Sequence, residues 1–263
     1  TELRLLMSRS KASALAARAV MRSGTGHKYW SRFDEGNQQK IEEIAKEIHD
    51  IIFTPKLETP IKTLDLPVAG PGYSSETLTL ILDLVNLIND IKSEDKLDTD
   101  ASGEQTIEFL MNTRKIARMI SGTHASSLGL HPAVYFYSPQ GRYQSTSFLA
   151  IVELLKDFRK RKYFNTFTNE RMKFEDFILK YKDFIQQINN KHRIGMRGYM
   201  PIKELYQFII EKLARGCDED EILKSLKTDR RFSYLKADNI YNNETEKKEF
   251  SRDRKFEAFL REA

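Results

Sequence analysis

The sequence has little of what builds a disulfide, a metal cluster or a membrane anchor. Its 263 residues include one cysteine, Cys217, so an internal disulfide and a multi-cysteine zinc site are both excluded. No apolar run reaches the ~18 residues that a membrane helix needs, and the first residues lack the apolar core of a secretory signal. We therefore expect a cytoplasmic protein without a membrane partner.

A complete catalytic motif is also missing. The glycines at 24 and 26 lack the spacing and the preceding strand of a phosphate-binding loop, and the five histidines are scattered. Acids and lysines at residues 94–96 and 244–248 loosely resemble the metal-binding pattern of nucleases, but we expect these stretches to be solvated loops. Acidic neighbours disfavour a thiolate at Cys217. We expect no catalytic residue, metal site or cofactor, although a metal-dependent nuclease with an unrecognised site stays open as an alternative.

The residues that are present describe a helical globular protein. Forty per cent of them are apolar and 31% are charged. From Phe174 to Ile188, seven apolar residues recur at helical spacing, in a helix that follows Thr168, and we expect them to form one core-facing stripe. A single hairpin is predicted, with strands at 134–137 and 142–144 around a turn that contains Pro139 and Gly141. The predicted fold is therefore mainly α, a multi-helix globular domain with one small β-hairpin.

Local signals also predict where several helices begin and end. Asp34 and Asp218 are suitable N-caps, and Gly122 and Gly216 suit helix ends. Helices are expected at 104–120 and 145–161. A further helix that starts at residue 74 or 75 is apolar nearly all round its axis, which predicts a central position.

Basic residues are concentrated at the N-terminus. Residues 1–32 contain seven Lys or Arg and one acid, whereas the whole chain carries a net charge of only +5. Such a distribution favours contact with phosphates or another acidic surface, and is equally typical of a solvated helix face. The candidate nucleic-acid-binding residues are Arg4, Arg9, Lys11, Arg18, Arg22 and Lys28, together with the cluster Arg159, Lys160, Arg161 and Lys162.

We expect the N-terminal residues to carry more of this binding than the cluster does. The cluster lies where a helix ends, and cations there already stabilise the helix dipole. The predicted organisation is a basic N-terminal helix or arm at 1–32, a helical core domain at 33–236, and a loose segment with a C-terminal helix at 237–263. On this view, residues 1–22 are removable without loss of the folded core.

An aromatic segment at 126–148 is the most informative stretch. His131 lies on a constrained bend before Pro132, where it suits either a general base or a buried histidine bound to backbone carbonyls. Arg142, after the turn, suits a phosphate or a surface acid. We take His131, Tyr135, Tyr137 and Arg142 as a candidate functional loop.

Within that segment, the run Ser127-Leu-Gly-Leu-His-Pro-Ala-Val-Tyr-Phe-Tyr-Ser138, followed by Gly141-Arg-Tyr-Gln144 and Phe148-Leu-Ala150, resembles a known family. It is similar to the region downstream of the ParB-like, DGQQR-bearing domain in GmrSD-type proteins, which carry a C-terminal HNH nuclease. Further matches lie at 59–67, 174–182, 197–199, 230–235 and 251–253. The resemblance covers roughly residues 24–262.

This resemblance implies a role in bacterial antiviral defence by restriction, in which a nucleotide-using domain governs DNA cleavage. DNA is then the expected partner, with nucleotide-sensing and nuclease modules in cis or in trans. The chain lacks DGQQR, and residue 263 lies about where the HNH module is expected to begin. Neither catalytic signature falls on a residue of this chain. We therefore predict a non-catalytic helical scaffold or DNA-engaging domain of an HNH endonuclease system, with a stand-alone helical regulator that binds a protein partner as the alternative.

Overall fold

The computed structural model describes residues 11–22, 27–54, 66–70, 72, 75–92 and 99–237. The chain is mainly helical and divides into two compact units, Thr1–Pro132 and Ala133–Ala263. The described helices of the first unit are α1 (Ala12–Arg22), α2 (Glu35–Phe53), α3 (Ser75–Ile88) and α4 (Glu104–Ile120). The second unit contains α5 (Pro132–Tyr135, which begins at the last residue of the first unit), α6 (Ser145–Arg161), α7 (Phe164–Lys180), α8 (Asp183–His192), the 3-10 turn Gly195–Arg197, α9 (Tyr199–Ala214) and α10 (Glu219–Thr228).

In the first unit, helix α1 packs against α2, α3 and α4. Nine of its eleven residues are buried, and five of these are alanines, whose small side chains let neighbouring helices approach closely. The helix α3 is buried on several sides, as its apolar pattern predicts. Asp34 caps α2 as expected, because its side chain accepts the N–H of Asn37 at 3.0 Å.

The start of α4 is fixed by Asp100 and Gly103. The buried Asp100 carboxylate accepts hydrogen bonds from the backbone N–H groups of Gly103 at 2.8 Å and Thr106 at 2.9 Å. Gly103 has a φ of +89°, and a Cβ there would lie 2.6 Å from the Phe33 ring. Only glycine therefore fits at this position.

The predicted domain limits do not coincide with these units. Residues 11–22 and 27–32 are part of the first unit, and α1 is one of its core helices. Removal of residues 1–22 would delete a buried helix. The predicted core domain at 33–236 is divided after residue 132. Residues 1–10 and 238–263, and with them most of the predicted C-terminal segment, lie outside the described residues.

In the second unit, α6 and α9 pack against each other, and α9 also contacts α7 and α8. The limits of α6 and α4 coincide with those predicted from the sequence. Asp218 caps α10 in a reciprocal capping box with Glu221. Pro201 lies in the first turn of α9, and Gly216 follows its end with a φ of +80°.

The apolar stripe from Phe174 to Ile188 is core, as predicted, but it is carried by two helices. Six of the seven side chains are buried, and Tyr181 is half-buried. The chain turns at Tyr181 and Lys182, where the Tyr181 ring stacks on Phe184 with centroids 5.2 Å apart. The first of these helices begins before Thr168 rather than after it. Thr168 lies inside α7, and its hydroxyl donates to the carbonyl of Phe164 at 2.9 Å.

The predicted hairpin is reduced to a single bridge. Residues 132–135 form the short helix α5 rather than a strand, since Pro132 occupies the first helical position, which its fixed φ favours. Tyr137 and Tyr143 pair through an antiparallel bridge, and the turn between them closes as predicted, with the Gly141 N–H donating to the Ser138 carbonyl at 2.9 Å. The small β element is therefore minor in a helical fold.

The burial of the stripe predicts a large effect of truncation at Phe177, which is 4% exposed. Phe177→Ala should lower the free energy of unfolding by ~3–5 kcal/mol, measured by urea denaturation with circular dichroism. Met172→Ala, on the same helix at 79% exposure, is the control and should change it by less than ~0.5 kcal/mol. A loss at Phe177 below about 1 kcal/mol would show that this part of the stripe is not core.

Candidate nucleic-acid interface

Two arginines of α1 lie along one edge of the helix and meet at the ring of Tyr29. Arg18 and Arg22 are half-buried, four residues apart, and their Cζ atoms lie 4.8 Å and 5.7 Å from the ring centroid. The His27 ring contacts the same tyrosine edge-on, with centroids 4.7 Å apart. Cations over an aromatic face are attracted by the ring quadrupole. The two guanidinium groups are therefore held in place next to solvent.

The residues that follow Tyr29 are tied to the rest of the first unit. Lys28 Nζ lies 2.7 Å from Glu42 Oε1, and the indole N–H of the buried Trp30 donates to the same oxygen at 3.0 Å. Hydrogen bonds from Lys28 and then Trp30 hold the pKa of Glu42 below its usual value. Arg32 Nη2 donates to the carbonyl of Asp100 at 2.8 Å. Segment 28–32 is thus anchored to α2 and to the loop before α4.

Together these residues form a cationic surface with an aromatic centre, which we call the Tyr29 surface: Arg18, Arg22, His27, Lys28, Tyr29 and Arg32. The sequence from 11 to 32 contains five Lys or Arg and no Asp or Glu. Among the predicted binding residues, Lys11 is half-buried before α1 and pairs with Thr99 through a backbone bridge. Arg4 and Arg9 lie outside the described residues. Composition indicates the charge of this surface, but not the role of Tyr29 at its centre.

The predicted cluster Arg159, Lys160, Arg161 and Lys162 lies at the end of α6, and all four side chains are exposed. Arg161 stacks over Tyr163 at 5.1 Å and lies 3.4 Å from a carboxylate oxygen of Glu211. The other three cations form no ion pair with any described residue. The cluster is in the second unit and the Tyr29 surface is in the first. The structure thus offers two cationic surfaces on different units.

In the candidate functional loop, Tyr135 takes part in a buried hydrogen-bond network. Its hydroxyl donates to Glu175 Oε1 at 2.7 Å, and Arg171 Nε donates to the same oxygen at 2.7 Å. Its carbonyl accepts the Ser147 hydroxyl at 2.7 Å, and this hydroxyl is 2.9 Å from Tyr206 Oη. Burial, and then the Glu175 charge, raise the pKa of Tyr135 well above its usual value. The network as a whole joins α5, α6, α7 and α9. The Tyr135 hydroxyl within it is not poised to lose a proton.

The other residues of the candidate loop have different surroundings from those of Tyr135. Tyr137 is buried, and its ring packs edge-on against Tyr143 with centroids 5.5 Å apart. Arg142 is exposed at the turn, where its backbone N–H donates to the Ser138 hydroxyl at 3.2 Å. His131 is half-buried and belongs to the first unit, whereas the other three belong to the second. These positions favour packing over catalysis for the two tyrosines.

A groove of about 600 Å³ on the first unit lies between α2, the end of α4 and the loop at 121–124. Apart from the exposed Glu43, its charged side chains pair within the first unit. Arg118 Nε hydrogen-bonds to Glu47, and Lys46 Nζ lies 2.6 Å from Asp50. Although burial raises the pKa of Glu47, its hydrogen bond and ion pair with Arg118 hold it below the usual value. The cations of the groove are therefore already neutralised by its carboxylates.

Lys182 is a buried lysine that sequence reasoning did not single out. It precedes α8, and its Nζ donates a hydrogen bond to the carbonyl oxygen of Ala133. Burial lowers the pKa of this amine to about 7, because a charged ammonium is disfavoured in an apolar surrounding. Lys182 lies in the turn between α7 and α8, beside the buried stripe. The sequence alone does not show that the stripe is divided between two helices, and so it does not show that this lysine is buried.

This lowered pKa predicts a pH dependence of stability. An unfolded lysine has a pKa near ~10.4, so above pH 7 the unfolded chain binds more protons at Lys182 than the folded chain does. Lys182 therefore makes the free energy of unfolding rise with pH, and Lys182→Met should remove this rise.

The checking measurement is urea denaturation of both proteins between about pH 7.5 and 9. The stability of the variant relative to the wild type should fall by about 1 kcal/mol per pH unit. Lys224→Met, at an exposed position of α10, is the control, and its relative stability should stay level. If the difference in stability between Lys182→Met and the wild type also stays constant with pH, the result contradicts a lowered pKa of Lys182.

In the described ranges, no group of three or more His, Cys, Asp or Glu side chains is arranged to hold a metal ion. Of the described helices, none combines the length and apolarity that crossing a bilayer demands. Cys217 is a half-buried free thiol. Residues 94–96 and 244–248 lie outside the described part of the chain.

Comparison with protein-family models, curated proteins and solved structures found no match to this chain.

Proposed function

We propose that this chain is a non-catalytic helical domain that engages DNA through the phosphate backbone. The observation that supports the proposal is the Tyr29 surface, in which Arg18 and Arg22 project from a core helix and are held over one aromatic ring. A guanidinium group is suited to phosphate because its N–H groups match two phosphate oxygens.

The fixed position of these arginines favours them over the cluster at the end of α6. An exposed lysine or arginine loses rotamer freedom when it binds, at a cost of up to ~2 kcal/mol per side chain. Arg18 and Arg22 are half-buried and already restricted, so less freedom is lost on binding. We therefore expect the N-terminal cations to contribute more to DNA binding than the cluster at the end of α6 does. They do so from a core helix, α1.

The arrangement also favours contact with phosphates over reading of bases. Sequence is read when a helix or a β-ribbon enters the major groove. Nine of the eleven residues of α1 are buried, so only one edge of this helix is accessible to DNA. Contacts from such an edge position a protein on DNA without specifying a sequence.

Membership of a restriction-type defence system is the second part of the proposal, and it rests on the resemblance to GmrSD-type proteins. On this proposal the nucleotide-sensing and HNH nuclease modules act in cis or in trans, and the chain supplies a scaffold that holds DNA. Cleavage is assigned to the HNH module, since neither signature motif of the family falls on this sequence.

The proposal predicts salt-dependent binding that weakens when the Tyr29 surface is altered. The logarithm of the association constant for a short DNA duplex should fall with the logarithm of salt, with a slope of about 0.9 per phosphate contacted. Arg18→Gln/Arg22→Gln should reduce the slope by about 2, measured by fluorescence anisotropy across a salt series.

Two variants control this measurement. Arg18→Lys/Arg22→Lys keeps both charges and should keep the salt slope. Lys224→Gln/Lys227→Gln removes the same charge from exposed positions of α10 and should leave the slope unchanged. If the salt slope falls equally in the two glutamine variants, net charge alone drives binding, and this result contradicts a localised surface.

The ranking of the two cationic surfaces is a separate prediction. Arg159→Gln/Lys160→Gln/Lys162→Gln should lower the association constant for the same duplex less than Arg18→Gln/Arg22→Gln does, although it removes one more charge. Because these three side chains are exposed and unpaired among the described residues, their replacement should not disturb the fold. The opposite ranking would place the interface at the end of α6.

A further inference from the structure

An exposed apolar cluster lies between α8 and the start of α9. In the described part of the chain, five large apolar side chains are exposed, and three of them fall within seven residues. Their exposed fractions are 69% for Ile194, 37% for Met196 and 38% for Met200. The other two, Met111 and Met172, lie in α4 and α7. We call residues 193–200 the Ile194 tip.

The tip is held in a defined conformation. The backbone N–H of Gly195 donates to the Thr146 hydroxyl at 2.9 Å, and the N–H of Arg193 donates to the Asn189 carbonyl at 2.8 Å. A Cβ at Gly198 would lie 2.1 Å from the Arg193 carbonyl oxygen, so the backbone passes where no other residue fits. The apolar side chains are therefore presented to solvent by a fixed turn.

Cations accompany these apolar side chains. Arg193 and Arg197 are exposed, and neither forms an ion pair with a described residue. From 184 to 203 the sequence contains no Asp or Glu. The tip thus combines exposed apolar surface with positive charge and has no acidic residue of its own.

We infer that the Ile194 tip docks an acidic, apolar segment of a protein partner. Methionine side chains are flexible and polarisable and adapt to varied apolar surfaces, while arginine binds carboxylates in a bidentate way. Phosphates gain nothing from Ile194 or the methionines, so contact with the DNA backbone, as proposed for the Tyr29 surface, does not explain the cluster. A lipid surface is less favoured, because interfacial binding needs a longer amphipathic face than one short turn. This inference is independent of the proposed DNA engagement.

The test uses a phage-displayed library of random 16-residue peptides, selected on the full chain. The enriched peptides should combine Asp or Glu with large apolar residues. Synthetic copies should bind Ile194→Ser/Met196→Ser/Met200→Ser at least about 10-fold more weakly than the wild type, because a few large side chains at the centre of an interface carry most of its binding free energy. Arg193→Gln/Arg197→Gln should also weaken binding and reduce its dependence on salt.

The matched control is Met111→Ser/Met172→Ser, which removes exposed methionines elsewhere and should bind the peptides as the wild type does. All variants should keep the thermal midpoint within about 2 °C, since these side chains are exposed. The inference is overturned if the enriched peptides lack acids, or if no peptide distinguishes the wild type from the triple variant. Binding to phosphatidylglycerol vesicles that the triple variant loses, without such peptides, would also overturn it in favour of a lipid surface.

Discussion

The burial of α1 is the constraint on which the first unit and its cationic surface depend. Five of its eleven residues are buried alanines, which allow close contact with α2, α3 and α4, and this packing leaves Arg18 and Arg22 at one edge. The Tyr29 ring lies under both guanidinium groups, and Trp30 and Lys28 bind Glu42 on α2. The cations of this region are thus part of the folded unit, so their geometry is set before any partner arrives.

The second unit shows why an aromatic segment of unusual composition need not be catalytic. The Tyr135 hydroxyl would be costly to bury without a partner, and the fold supplies Glu175 for it, while the Ser147 hydroxyl donates to the Tyr135 carbonyl. The network links α7 to α5 and α6, while the Phe174 ring packs edge-on against Tyr206 in the same core. The two buried tyrosines of the candidate loop, Tyr135 and Tyr137, therefore stabilise the unit, whereas the end of α6 and the Ile194 tip lie on its exposed surface.

Local chemistry made several elements predictable, whereas contacts distant in sequence were not. Asp34, Asp218, Gly122 and Gly216 lie at the helix limits that their side chains or φ values favour. The burial of the apolar stripe from Phe174 to Ile188 is equally predictable, since periodicity alone identifies a core face. Periodicity does not say what covers a helix, so an alanine- and arginine-rich segment was expected to be a solvent-facing arm although it is a core helix. The pairing of Tyr135 with Glu175 spans 40 residues of sequence, and no local pattern signals it.

The central claim is that a fixed cationic edge around Tyr29 contacts the DNA backbone. Hydrogen–deuterium exchange of the full chain, with and without a 20-base-pair duplex at low salt, tests it most directly. The account predicts slower exchange in peptides that cover residues 27–33, whose amides include the Ser31 and Phe33 N–H groups bonded to Lys28 and Trp30. Peptides from α10 should exchange at an unchanged rate. Protection confined to the second unit, or no protection while the duplex is bound, would contradict the account.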